Sequence, residues 1–158
     1  MSAHENLSDQ FVTVYRGRTH YDRYKIPKNQ ESLKGLGMHW TTDIDVARHF
    51  AGGWNLSDWP SDHRTGKKAT EMGGHVLYGK VNKEHVIKPN TPEWNRIATQ
   101  HSVMEPEDNH EKEQTLREGA PIQITGVERV RNKPRVNENT PNKFIINKLK
   151  FKGGMGTV

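Results

Sequence analysis

The stretch HEKEQTLREGAPIQI, residues 110–124, carries two glutamates one residue apart, Glu111 and Glu113. They precede a Gly-Ala-Pro turn and an apolar alternation. In an extended chain, residues i and i+2 point to the same face, about 7 Å apart. Glu111 and Glu113 would then share a face, with Lys112 opposite. Neighbouring carboxylates raise each other's proton affinity and can divide a task. One can stabilise positive charge developing on a sugar while the other handles the acceptor. The plainer alternative is a charged edge strand facing solvent.

Three further groups have residue types suited to chemistry. Arg16 closes an apolar run just before Gly17, where a guanidinium can meet a phosphate or carboxylate with two parallel hydrogen bonds; it could equally reach solvent from a strand end. Thr41 and Thr42 lie between Trp40 and a helix start. If Thr42 or Asp43 caps that helix, Thr41 is left to point inward. Trp54 and Trp59 share a glycine-rich stretch with Arg64, Lys67 and Lys68. That mixture suits a dinucleotide through stacking and phosphate contact, or it anchors the loop on the core.

Other patterns fail on chemistry. Gly74-x4-Gly79-Lys80 has the outline of a phosphate-binding loop, but Val81 stands where Ser or Thr is required, and the glycines flank a strand. The nine histidines are scattered, with no pair at metal-ligating helical spacing, so no metal site is expected. No Ser-His-Asp order supports nucleophilic catalysis.

These residues need elements to position them. FVTVYRG (11–17) alternates and reads as a strand ended by Gly17. Residues 18–36 read as a polar connection with room for a short helix. MHWTT (38–42) reads as a second strand. DIDVARHFA (43–51) carries Ile44, Ala47, Phe50 and Ala51 at helical spacing. Residues 52–74 read as a long loop. HVLYGKV (75–81) reads as a strand, and EHVIKP (84–89) as a strand or turn. Residues 90–110 read as a second long loop or irregular helix around Trp94 and Ile97. Residues 111–117 and 121–127 read as two strands joined at Glu118-Gly119. NKFIINKLKF (142–151) reads as a last strand, and GGMGTV as a frayed end. One clear helix among many strands predicts an α+β domain with a largely antiparallel sheet.

Length and composition narrow the class. The 158 residues suggest one domain, 1–158, with a core at about 11–130 and a basic segment at 131–158. Apolar residues make up 31% and the mean hydropathy is −0.98, so long polar loops should surround a small core. The absence of cysteine excludes disulfides, thiolate catalysis and Cys-ligated zinc. No apolar run reaches membrane-spanning length, and the first ten residues are polar. The expectation is a soluble protein with no membrane partner, cytoplasmic or delivered into a host cell by an unseen route. The net charge of +5 favours phosphate-bearing partners. Between Arg129 and Lys152 there are eight Lys or Arg and one acid, Glu138, which suits either a nucleic acid or a solvated surface.

The order of these signals resembles a known family. VYRG, then Trp-Thr-Thr running into D-x-x-x-A-x-x-F-A, then E-K-E before a G-A-P turn, resembles the ADP-ribosyltransferases with an Arg–Ser–Glu triad. Glu113 and Gly119 have the six-residue spacing common in that family. The resemblance spans about residues 12–127. It implies an ADP-ribosyltransferase-like split sheet with few helices and long loops.

It also implies a site in which NAD is the substrate and no metal takes part. Arg16 would hold NAD through its phosphates or the nicotinamide-side ribose. Thr41 matches the central Thr of the family's Ser-Thr-Ser strand and Thr42 its last Ser, while Trp40 departs from the first. Glu113 would be the catalytic glutamate, bonded to the ribose 2′-hydroxyl, and Glu111 would face the acceptor. Gly17, Phe50, Trp54 and Arg64 complete the expected cofactor-binding set. The implied activity is NAD-dependent mono-ADP-ribosyl transfer to a macromolecule, protein arginine or nucleic acid, with release of nicotinamide. An NAD glycohydrolase on the same site and a non-catalytic basic binding module, associated with nucleic acid or a virion, are the competing readings.

Overall fold

Alternation in FVTVYRGRT extends strand β1 to Phe11–Thr19, and it puts Val14, fully buried, on one face and Tyr15 on the other. The computed structural model describes residues 10–22, 24–53, 56, 59–101, 112–132, 144–148 and 153–158. Among these lie seven strands and three α-helices: β1, β2 (His39–Thr41), α1 (Ile44–Ala51), α2 (Ala69–Met72), β3 (Gly74–Asn82), α3 (Pro92–His101), β4 (Glu113–Thr115), β5 (Pro121–Asn132), β6 (Phe144–Lys148) and β7 (Gly154–Thr157). The chain is α+β, as expected, and the sheet is antiparallel in the order β4-β2-β1-β3-β5-β6, with β7 also on β5.

β5 has an extra residue, Thr125, where the register with β3 shifts between Tyr78 and Gly79. Such a bulge bends its strand. The half before it pairs with β7 and the half after it with β6.

Each face of the sheet is covered. On one, Val14, Trp40, Leu77, Val81, Ile122 and Ile124 pack with Leu33, Leu36 and Val158. On the other, Ala47 and Ala51 of α1 lie against Val76 and Val130. α1 starts where Asp43 accepts a hydrogen bond from the Asp45 amide at 2.9 Å, so the cap falls on the second of its two expected residues. Small residues let α1 sit close to β1: a Cβ on Gly17 would come 1.8 Å from the Ala47 carbonyl oxygen.

Several expectations are corrected. Residues 90–110 were expected as loop or irregular helix, but Pro92–His101 is a regular α-helix, with Trp94 and Ile97 buried against Ile87. The 52–74 stretch contains α2, and 84–89 begins with a 3-10 turn at Lys83–His85 followed by a single bridge, Val86↔Leu116. The strand expected over 111–117 is only Glu113–Thr115, because Lys112 has a left-handed backbone, φ 51°. Its carbonyl is thereby turned to accept from the Thr42 amide. GGMGTV is not frayed: Gly154–Thr157 forms β7, and the Val158 side chain joins the main core. The core therefore reaches beyond 11–130. No apolar periodicity marks β7, since its pairing with β5 is made through backbone groups.

Candidate functional site

The sheet opens between β1 and β2. Their ladder has one register pair, Tyr15↔Thr41, although β1 continues to Thr19. The Arg16 side chain crosses this opening, with Nη1 donating to the His39 carbonyl oxygen of β2. The guanidinium also lies against Gly37, whose φ of 100° and lack of a Cβ make room for it.

On the far side of β2, Thr41 is the register partner of Glu113 on β4. Residues directly opposite in a ladder share a face, so Glu113 and Thr41 point the same way. His39, two residues before Thr41, brings its Nδ1 to 3.3 Å from the Glu113 carboxylate. The Thr41 hydroxyl accepts from the Asp43 amide at 3.0 Å, so it also helps to fix the start of α1.

A cleft of about 260 Å³ lies over this seam. Of the residues singled out from the sequence, Arg16, Gly17, Trp40, Thr41, Phe50 and Glu113 line it. They come from β1, β2, α1 and β4, which are far apart along the chain. The seam between diverging strands brings them together.

The remaining candidates divide into two groups. Thr42 is exposed and lies off the cleft lining. Arg64 is exposed in the 52–74 stretch, pairs with Asp62 at 3.7 Å, and does not line the cleft either. It sits on a surface turn beside its own neighbour Asp62. Glu111 and Trp54 lie outside the described residues. Trp40 is largely a core residue: it is 2% exposed, and its indole N–H is used on the Gly37 carbonyl at 2.9 Å. Gly17 is held by the packing of α1.

The sequence reading missed Tyr15, Arg18, Thr19, Tyr24 and His39, which also line the cleft. Arg18 had a signal, since it shares the face of Arg16 by strand alternation. Tyr24 and His39 had none, because the returning chain puts them there.

The electrostatics of the cleft are dominated by cations. Burial lowers the Arg16 pKa, opposed by Tyr24 and by the Glu113 carboxylate. Arg18 is lowered to about 10, first by burial and then by the neighbouring Arg16 charge. Both remain protonated near neutral pH. Glu113 is the one carboxylate among the described lining residues. The arrangement can bind an anion beside the arginines and hold a carboxylate against a group that becomes positive. Among the described residues, no cluster of three or more His, Asp or Glu is placed to hold a metal ion. No described helix is long and apolar enough to cross a membrane.

Comparison with known protein families, curated proteins and solved structures finds no match to this chain.

Proposed function

We propose that the chain is an NAD-dependent mono-ADP-ribosyltransferase that uses this cleft. The observation that carries the reading is that Arg16, Thr41 and Glu113 line one cleft. In the resemblance to the Arg–Ser–Glu enzymes, Arg16 matches the first-strand arginine, Thr41 the central residue of the Ser-Thr-Ser strand, whose first serine is replaced by Trp40, and Glu113 the catalytic glutamate.

The chemistry follows from the groups present. Cleaving the bond between nicotinamide and ribose builds an oxocarbenium-like cation on the sugar, as glycoside cleavage does. A fixed carboxylate stabilises that cation more than it stabilises the bound substrate, which is what raises a rate. Glu113 supplies the carboxylate, and its partner strand β2 with His39 holds it in place. Nicotinamide leaves as a neutral molecule, so no general acid is required. Arg16 would hold a phosphate or the ribose of NAD. The cleft is smaller than the roughly 300–1,000 Å³ usual for a whole ligand, so the rest of the dinucleotide would run along its mouth. The favoured acceptor is an arginine of a protein, with Glu111 preparing its guanidinium; a nucleic acid is the second candidate, given the basic chain.

The test is NAD labelled on its adenylate, incubated with a cell lysate and either the wild-type chain or Glu113→Gln. Label transferred by the wild type and lost in the variant supports the reading, and its removal by protease or nuclease names the acceptor class. Nicotinamide release without transferred label would make the protein a glycohydrolase. Neither signal would leave a binding module.

A further inference from the structure

Arg18 is a buried cation with no anionic partner among the described residues. It is 8% exposed, and among the described residues no carboxylate lies within ion-pair distance of it. Other arginines of the chain do meet carboxylates: the partly buried Arg48 meets Glu128 and the exposed Arg117 meets Glu93, each through two nitrogens. A buried charge without a partner is costly. Arg18 gives one N–H to the Leu36 carbonyl oxygen, which fixes the guanidinium, while its Nε is buried and bonded to nothing. Arg16 repeats the pattern, with one N–H on the His39 carbonyl and a buried Nε left over.

The described groups packed directly on Arg18 include no carboxylate. The register partner of Arg18 on β3 is His75, which is fully buried and has no partner for its Nε2. Tyr24 lies over the Arg18 guanidinium, with its ring centroid 4.6 Å from Cζ, and is itself 42% exposed at the cleft. Arg16 and Arg18 stand two residues apart on one face of β1, about 7 Å along the strand. That spacing puts one guanidinium near each phosphate of a diphosphate. Planar guanidinium groups suit phosphate oxygens because they donate two parallel hydrogen bonds.

We infer that Arg18, covered by Tyr24, is a second ligand-binding residue of the cleft and seats the diphosphate of its nucleotide substrate beside Arg16. This rests on the cleft being the NAD site. It extends that reading by assigning one phosphate to Arg18 and the other, nearer Glu113, to Arg16. Tyr24 keeps the guanidinium in place through its ring face and offers its exposed side to the ligand.

The experiment is calorimetric binding to the full chain, wild type and Arg18→Gln, with four probes: ADP-ribose, ADP, inorganic pyrophosphate and nicotinamide riboside. ADP-ribose and ADP should bind the wild type and lose at least tenfold in affinity in Arg18→Gln. Nicotinamide riboside, which has no diphosphate, should bind both equally. Where NAD turnover is measurable, Arg18→Gln should raise KM at least tenfold and leave kcat within about threefold.

Unchanged ADP-ribose affinity in a folded Arg18→Gln protein would overturn the inference, as would pyrophosphate binding without nucleotide binding. If Arg18→Gln does not fold, Tyr24→Ala at the exposed ring carries the test: a several-fold loss for ADP-ribose supports the seat, and no loss overturns it. The two readings fail separately. Nucleotide binding that depends on Arg18, with no NAD cleavage, removes the transferase and keeps the seat. NAD cleavage with wild-type KM in Arg18→Gln keeps the transferase and removes the seat.

Discussion

Thr41 on β2 and Glu113 on β4 are register partners, so the site's carboxylate is fixed by the same short strand that holds the Asp43 cap of α1. A carboxylate held in this way needs little reorganisation when charge develops beside it. Glu113→Gln keeps the size and most of the packing but removes the charge. The expected result is a fall in kcat for NAD cleavage of about 10²–10³-fold, with KM changed only a few-fold. Steady-state nicotinamide release measures both. An equal loss in KM would mean that Glu113 acts in binding and not on the transition state.

Gly17 marks the closest approach of α1 to β1. A methyl group there would sit 1.8 Å from the Ala47 carbonyl oxygen and 2.9 Å from the Ala51 amide nitrogen, both backbone atoms of a helix. Neither can move without lifting α1 from the sheet. Gly17→Ala should therefore destabilise the fold by about 3 kcal/mol, the upper end of overpacking costs, read from urea unfolding. Binding of the proposed NAD substrate should fall as well, because Phe50 on α1 lines the cleft.

What could be read from the sequence was local. β1, α1 and β3 were recognisable because period-two and helical spacing lie within single stretches, and Arg16, Thr41 and Glu113 could be picked out by residue type and order. Their convergence was not readable, because it depends on β1 and β2 parting after Tyr15↔Thr41. Nothing in the residue type of Lys112 signals its positive φ, so the sequence does not show where β4 starts. β7 was missed because GMGT has no apolar pattern, and its hydrogen bonds go to β5, distant in sequence. Trp40 lines the cleft, but that β2 alternation also seats its ring in the core depends on the sheet's layering.

Arg48 and Glu128 form a bidentate ion pair away from the cleft lining. Arg48 Nε and Nη2 lie 2.8 and 3.0 Å from the two carboxylate oxygens, and the Tyr78 hydroxyl donates to Oε1 at 2.7 Å. Glu128 is 1% exposed, so its charge depends on these donors. The pair ties α1 to β5. Arg48→Met should cost about 3 kcal/mol by leaving the carboxylate without its bidentate partner. Arg48→Met combined with Glu128→Leu should recover much of that loss, because no unpaired charge remains. A double-mutant cycle in urea measures the difference.

His75 makes stability depend on pH. It is fully buried on β3 between its register partners Arg18 of β1 and Arg129 of β5, and His20 lies 3.4 Å away. Burial lowers its pKa to about 3, with Arg18, His20 and Arg16 adding to the shift. An unfolded histidine titrates near 6.5. Between these values the unfolded chain binds the proton and the folded chain does not, so stability rises with pH across that window. His75's contribution is complete above about pH 6.5 and is lost as pH falls toward 3. The slope is about 1.4 kcal/mol per pH unit, so moving from pH 7.5 to 5.0 should remove about 2 kcal/mol through this residue alone. His20, also lowered by burial and by Arg129 and Arg131, adds a smaller loss of the same sign. His75→Gln should flatten the dependence between pH 5 and 6.5 while leaving the part due to His20. Urea unfolding of both proteins at intervals of half a pH unit measures it. Equal slopes would mean that His75 is protonated in the folded state and is already matched by an acceptor.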